Sequence, residues 1–267
     1  MAARLAAHGM SVAVWNRSGV RGKLARFAAS SPREAARGAR FVVTMVADAH
    51  ALAAVARGRN GILVGIERRA TWVEMSTVGR PIALELARST RERGAWFVDA
   101  PVSGTLGPAE RGELVAFVGG DAKRAAPILR ALCRRAIHAG AVGQGQALKV
   151  AVNGLGAHHL VAFATMLAVA ERAGLRRRVV LDAFTTGAFA SPSYVGKKAK
   201  VLARRYDPEF TLDLTLKDAR LATAMARAVG MSVPVLARVT REIGRGVEAG
   251  LGPRDLFALE MLYSRQR

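Results

Sequence analysis

Thr71-Trp72-Val73-Glu74-Met75 and Ala95-Trp96-Phe97-Val98-Asp99, with a helical pattern from Pro81 to Arg93 between them, decide the fold. Short apolar runs rich in aromatic and β-branched residues read as buried strands, and the amphipathic stretch between them reads as a helix. The same alternation continues outward. Ser11-Val12-Ala13-Val14-Trp15, Arg40-Phe41-Val42-Val43-Thr44-Met45 and Leu114-Val115-Ala116-Phe117-Val118 read as further strands, and Ala122 to Cys133 as a further helix. Alternating strands and helices predict an α/β domain: a parallel sheet with helices on both faces. Ligands of such sheets sit at the carboxyl ends of the strands. Those ends read Asn16-Arg17-Ser18, Val46-Ala47-Asp48, Ser76-Thr77-Val78 and Pro101-Val102-Ser103-Gly104.

After Gly145 the pattern changes to helices alone. Gln146 to Gly174 reads as one long helix closed by a glycine. Val179 to Phe184, Pro192 to Ala203, Leu212 to Val229, Val233 to Ala249 and Asp255 to Tyr263 read as the others. The expected organisation is an α/β domain over 1–144 and an all-α domain over 145–267.

Lys149 and Asn153 lie one helical turn apart in Gly145-Gln146-Ala147-Leu148-Lys149-Val150-Ala151-Val152-Asn153, so both point the same way. Val150, Ala151, Val152 and Leu155 make their surroundings apolar. A lysine in an apolar setting loses hydration and its pKa falls, which suits a proton donor or acceptor. An asparagine beside it could hold a substrate oxygen. A surface lysine on a helix flank accounts for the same residues.

The chain has 267 residues, a hydrophobic fraction of 51% and a net charge of +21. Arginine carries most of that charge and is spread throughout. The densest basic runs are Arg176-Arg177-Arg178, Lys197-Lys198 with Lys200, and Arg204-Arg205. No aromatic-interleaved basic stretch accompanies them, so a solvated basic face is expected rather than a nucleic-acid surface. Cys133 is the only cysteine, which excludes a disulfide framework and a cysteine zinc cluster and fits a reducing, cytoplasmic setting; no metal site is expected. Val150 to Ala170 holds no charge and is long enough to span a bilayer. Its Asn153, His158, His159 and glycine breaks favour a buried helix at a domain junction over a membrane span.

Six segments in order resemble the β-hydroxyacid dehydrogenase family, which includes 3-hydroxyisobutyrate dehydrogenase and the glyoxylate and succinic-semialdehyde reductases. They are Val14-Trp15-Asn16-Arg17-Ser18, Val43-Thr44-Met45, Glu74-Met75-Ser76-Thr77, Asp99-Ala100-Pro101-Val102-Ser103-Gly104, Gly143 through Asn153, and Phe210-Thr211-Leu212-Asp213-Leu214-Thr215-Leu216-Lys217-Asp218. The resemblance covers nearly the whole chain. It implies a Rossmann-like NAD(P)-binding domain of the 6-phosphogluconate dehydrogenase type, followed by a helical domain that builds a homodimer or higher homo-oligomer. Their cleft is expected to have Lys149 at its floor. The implied activity is hydride transfer between NADP(H) and a short β-hydroxy acid or its semialdehyde.

The resemblance also implies residue roles. Lys149 corresponds to the catalytic lysine, Asn153 to the residue that orients substrate oxygens, and Ser103 with the Gly104 amide to the grip on the substrate carboxylate. Thr77 and Lys217 correspond to cofactor-side residues, as do Asn16, Arg17, Ser18, Met45 and Val46. An acidic residue at the end of the second strand would bind the ribose hydroxyls of NAD, whereas Arg17 suits the 2′-phosphate of NADP. NADP is therefore expected rather than NAD.

The family opens with a strand and a glycine-rich turn, and Met1-Ala2-Ala3-Arg4-Leu5 instead matches the middle of its first helix. The expectation is an N-terminally truncated chain, with the strand and turn encoded upstream and weak NADP binding without them. Ala47, Thr105 and Glu113 depart from the family pattern and leave the substrate open. Two rivals remain: a dehydrogenase-shaped interaction module without catalysis, and an imine reductase. The latter generally lacks the lysine, so Lys149 favours alcohol chemistry.

Overall fold

A computed structural model describes residues 1–264. The chain divides into two compact units, Met1–Val150 and Ala151–Arg267. In the first, α1 (Ala2–Ala7), α2 (Pro32–Ala36), β1 (Phe41–Thr44), α3 (Ala49–Ala56), α4 (Ile62–Gly65), β2 (Thr71–Glu74), α5 (Arg80–Glu92) and β3 (Trp96–Asp99) follow one another. Then come β4 (Val102–Ser103), α6 (Leu106–Arg111), β5 (Leu114–Gly119), α7 (Ala122–Leu132), β6 (Cys133–Gly140) and the start of α8 (Gln144–Arg172).

The strands lie in the order β1-β2-β3-β5-β4, with β6 also paired to β5. β1, β2 and β3 are parallel and in register, Val42 beside Trp72 and Trp72 beside Phe97, Val43 beside Val73 and Val73 beside Val98. Alternate side chains leave opposite faces of a strand. Val42, Trp72 and Phe97 accordingly pack with Leu52, Val55 and Leu86 on one face. Val73 and Val98 pack with Ile128, Leu129 and Leu132 on the other. Helices cover both faces, which is why β2 is buried along its whole length.

Three features differ from the sequence expectation. The sheet is mixed, because β5 runs antiparallel to β3 and β4. Between β3 and β5 the chain passes only through β4 and the six-residue α6. A helix of that length rises about 9 Å, too little to carry the chain back along the sheet for a parallel return. Second, 11–15 is not a strand. Val14 alone forms a bridge, with its N–H donating to Phe27 O (2.7 Å) and its carbonyl accepting from Ala29 N–H (2.8 Å). Apolar alternation makes a strand only where a ladder partner lies alongside. Third, β6 was not read as a strand. It carries Arg134, Arg135 and His138 and much of it is exposed, because it pairs with β5 on one side and lies at the sheet edge.

The second unit continues α8 and adds α9 (Arg177–Thr186), α10 (Pro192–Leu202), α11 (Leu212–Ala228), α12 (Pro234–Gly246) and α13 (Glu260–Ser264). Among the described residues it contains an isolated bridge, Thr211 to Asp255, and no strand. Ser191 and Thr211 start α10 and α11, their hydroxyls accepting from Tyr194 N–H and Leu214 N–H. The α8 helix is long and apolar enough to cross a membrane. Its Ala157, Leu160, Phe163, Ala164 and Leu167 instead form one face of this unit's core, in which Phe163 meets Tyr194 at 4.8 Å and Phe257 at 5.0 Å between ring centroids. The densest basic runs are engaged internally in part, with Arg176, Arg178, Arg204 and Arg205 exposed. Arg177 pairs with Glu171 and Glu260, Lys197 with Asp255 and Glu209, and Lys198 with Asp182.

Candidate active site

In the first unit, the carboxyl ends of β1, β2 and β3 meet the first turn of α8 through buried polar side chains. Glu74 ends β2 and is wholly buried. It accepts hydrogen bonds from Ser76 N–H (2.6 Å) and from the Thr44 hydroxyl. Thr44 Oγ1 in turn accepts from Trp72 Nε1 (2.8 Å). Burial pushes the Glu74 pKa up to about 7, with the bonds from Ser76 and Thr44 pulling it back and the Asp99 carboxylate adding to the rise. Ser76 Oγ accepts from Val46 N–H (2.8 Å), which ties the loop after β1 to the loop after β2.

Asp99, at the end of β3, caps α8. Its Oδ1 accepts from Gly143 N–H (2.7 Å) and its Oδ2 from Gln146 N–H (2.8 Å). A helix start presents unpaired N–H groups and a positive dipole end, and a carboxylate satisfies both. Burial raises the pKa of Asp99, and the backbone N–H bonds hold it back. Gly145 is required for this approach: a Cβ there would lie 2.4 Å from Phe117 O and 2.8 Å from Asp99 Oδ2. Gln146 is itself fully buried. Its Oε1 accepts from Val78 N–H (3.0 Å) and Gly79 N–H (3.1 Å), and its Nε2 donates to Ser76 O (2.8 Å).

Lys149 follows Gln146 by three residues on α8 and is 7% exposed, so the surface-lysine alternative does not hold. Thr77 is half-buried within the loop that Gln146 grips, and Val46 is half-buried in the adjoining one. Met45 is 56% exposed at the end of β1. The structure therefore brings Met45, Val46, Thr77 and the Lys149 helix into one hydrogen-bonded assembly. Asn16, Arg17 and Ser18 form an exposed turn of their own, closed by Ser18 N–H donating to Asn16 Oδ1 (3.2 Å). Ser103 ends β4, which pairs with β5. Gly104 has φ +131°, and a Cβ there would meet Leu114 Cδ2 at 2.7 Å.

In the second unit, Asn153 Nδ2 donates to Asp218 Oδ2 at 2.5 Å. That bond turns the amide nitrogen to the carboxylate and leaves the carboxamide oxygen directed the other way. Asp218 is 2% exposed, and Lys217 Nζ lies 3.0 Å from its Oδ1. Sequence reasoning passed over Asp218, Gln146, Asp99 and Glu74 as site residues. A signal existed for Asp218: with Thr215, Ala219 and Ala222 it lies on the buried face of α11 at helical spacing. Glu74 and Asp99 are acids inside otherwise apolar strands.

Residues 1–140 match the family model for the NAD binding domain of 6-phosphogluconate dehydrogenase. Residues 143–263 match the model described as NAD-binding of NADP-dependent 3-hydroxyisobutyrate dehydrogenase. The chain is 31% identical over 266 residues to glyoxylate/succinic semialdehyde reductase 1 of Arabidopsis thaliana, covering 97% of this chain and 92% of that protein. Its structure is similar to that of a 3-hydroxyisobutyrate dehydrogenase from Salmonella typhimurium, with a TM-score of 0.87, 25% identity and coverage of 98% and 94%. An imine reductase from Myxococcus stipitatus shares the fold at TM-score 0.59 and 20% identity, over 98% of this chain and 94% of that one. The chain belongs to the β-hydroxyacid dehydrogenase family, oxidoreductases that act on CH–OH groups with NAD(P).

Proposed function

We propose that this protein interconverts a short β-hydroxy acid and its semialdehyde, with Lys149 as the general acid and base. The cofactor is NADP(H), the one that the second family model names. The observation that carries the reading is the placement of Lys149: a buried lysine on the helix whose first turn is hydrogen-bonded to the loops at the carboxyl ends of the sheet. Those loops suit a flat ring carrying an amide, because the exposed Met45 side chain stands on one and the Thr77 hydroxyl on the other.

When bound, NADPH supplies the hydride that adds to the carbonyl carbon. The Lys149 ammonium donates a proton to the oxygen that becomes the hydroxyl, and in the reverse direction its amine accepts that proton. Asn153, one turn along α8 and oriented by Asp218 through its Nδ2, uses its carboxamide oxygen to accept from the substrate hydroxyl. Ser103 and the Gly104 amide take the substrate carboxylate, since a positive-φ turn presents N–H groups to an anion. Thr77, Met45, Val46 and Lys217 serve the cofactor side, and Arg17, in its exposed turn, meets the 2′-phosphate. The first unit holds cofactor, and the second supplies the subunit contact. Leu155, Met166 and Val169, exposed along α8, supply an apolar stripe for that contact.

The test is a panel of three- and four-carbon aldehydo acids with NADPH. Consumption of NADPH with at least one of them is the expected result. No turnover across the panel with either nicotinamide cofactor would reject the reading.

A further inference from the structure

We propose that Gln146 is a positioning residue: one buried carboxamide holds the Ser76–Gly79 loop against the first turn of the helix that carries Lys149. This rests on the reading that Lys149 is the acid and base and that Thr77 faces the cofactor. Three bonds make the clamp, two accepted by Oε1 from Val78 and Gly79 and one donated by Nε2 to Ser76 O. They bracket Thr77 on both sides, so its backbone has little freedom to shift. The clamp's other half is the Gln146 backbone, whose N–H is held by Asp99 from the end of β3. One residue thus joins β3, the β2–α5 loop and α8.

The chemistry of the side chain is specific. Gly79 stands at the start of α5, where no side chain of its own helix caps the free N–H groups. The amide oxygen has two lone pairs and serves both N–H groups, while the amide nitrogen serves a carbonyl. A carboxylate could accept the two N–H bonds but could not donate to Ser76 O. A hydrocarbon could do neither. With Lys149 three residues further along the same helix, a slip of the loop relative to this turn changes the distance between the two sets of reacting groups.

The experiment compares the full chain with Gln146→Ala and Gln146→Glu, at a temperature where circular dichroism shows each variant folded. Amide hydrogen exchange at Val78 and Gly79 is measured without cofactor, and kcat and KM are measured with NADPH and the best aldehydo acid. Gln146→Ala is expected to exchange both amides at least about tenfold faster, as a locally opened loop does. Its kcat should fall roughly 10- to 100-fold, the scale of a small misplacement of reacting groups, with a smaller change in KM for NADPH. Gln146→Glu should regain kcat relative to wild type as pH falls, because its neutral acid can again donate to Ser76 O. Asp99, Glu74, Arg80 and Lys149 are the titratable groups around this loop, and the wild-type profile accounts for them. Gln146→Ala is not expected to show that recovery.

A lower melting temperature with unchanged exchange at Val78 and Gly79 and unchanged kcat per folded molecule would overturn the proposal, since a purely structural residue behaves that way. If the wild-type chain turns over nothing in the panel, the functional reading fails by itself. The exchange data then decide the clamp, faster exchange in Gln146→Ala upholding it and equal exchange overturning it.

Discussion

Replacing Glu74 by glutamine should remove a pH dependence of stability. Glu74 is wholly buried at the end of β2, and its pKa rises from an ordinary 4.5 to about 7 on folding. The folded chain therefore keeps this proton to higher pH than the unfolded chain does. Between pH 4.5 and 7 the folded state binds more protons, so its stability falls as pH rises through that window. The contribution is complete below pH 4.5 and lost above about 7. A gap of that size corresponds to about 3 kcal/mol. Glutamine is the neutral isostere. Its oxygen still accepts from Ser76 N–H, and its nitrogen donates to Thr44 Oγ1 once that hydroxyl rotates. Asp99, whose pKa is also raised by burial, is common to both proteins. Urea unfolding at steps from pH 4 to 8 gives the two stability curves, with the m-value checking that the same surface is exposed. Relative to wild type, Glu74→Gln should gain about 3 kcal/mol between the ends of the window. Parallel curves would show that Glu74 titrates alike in the folded and unfolded chain, and would refute the reasoning.

Gly145→Ala should lower stability by about 1–3 kcal/mol in the same assay, because its Cβ would press on Phe117 O and Asp99 Oδ2 and the backbone cannot yield cheaply. Gly156→Ala, on the same helix with nothing within 4 Å of the new Cβ, should be neutral or raise stability by up to about 1 kcal/mol. Equal effects of the two would remove the close approach at the start of α8 from the account. Arg17→Asp should narrow or reverse a preference for NADPH over NADH, read as the ratio of dissociation constants. Equal affinities in the parent protein would show Arg17 to be a turn residue only.

The order of elements was legible where burial is symmetric. β2 and β3 are apolar on both faces, and their short runs could be read directly. Strand direction was not legible for β5, because it depends on the short return through β4 and α6 rather than on β5's own residues. β6 escaped notice because its residues are those of a partly exposed strand, and 11–15 was overread because alternation says nothing about a ladder partner. Around the candidate site, the placement of Lys149 and Asn153 one turn apart on a single helix was legible from spacing. The bonds of Gln146 and Asp218 were not legible, because their partners lie 65 to 70 residues away in the chain, although Asp218 could be placed on the buried face of α11. Glu74 and Asp99 could have been singled out as acids in apolar strands, but the loops they hold are visible only in the fold.

The most direct test of the central claim is kcat for NADPH-dependent reduction of the best aldehydo acid by Lys149→Ala, with Lys149→Arg alongside and folding verified for both. If Lys149 is the general acid, Lys149→Ala should lose about 100-fold or more in kcat. Lys149→Arg should recover little, because a guanidinium does not release its proton near neutral pH. Full turnover by Lys149→Ala would contradict the account and take Lys149 out of the mechanism.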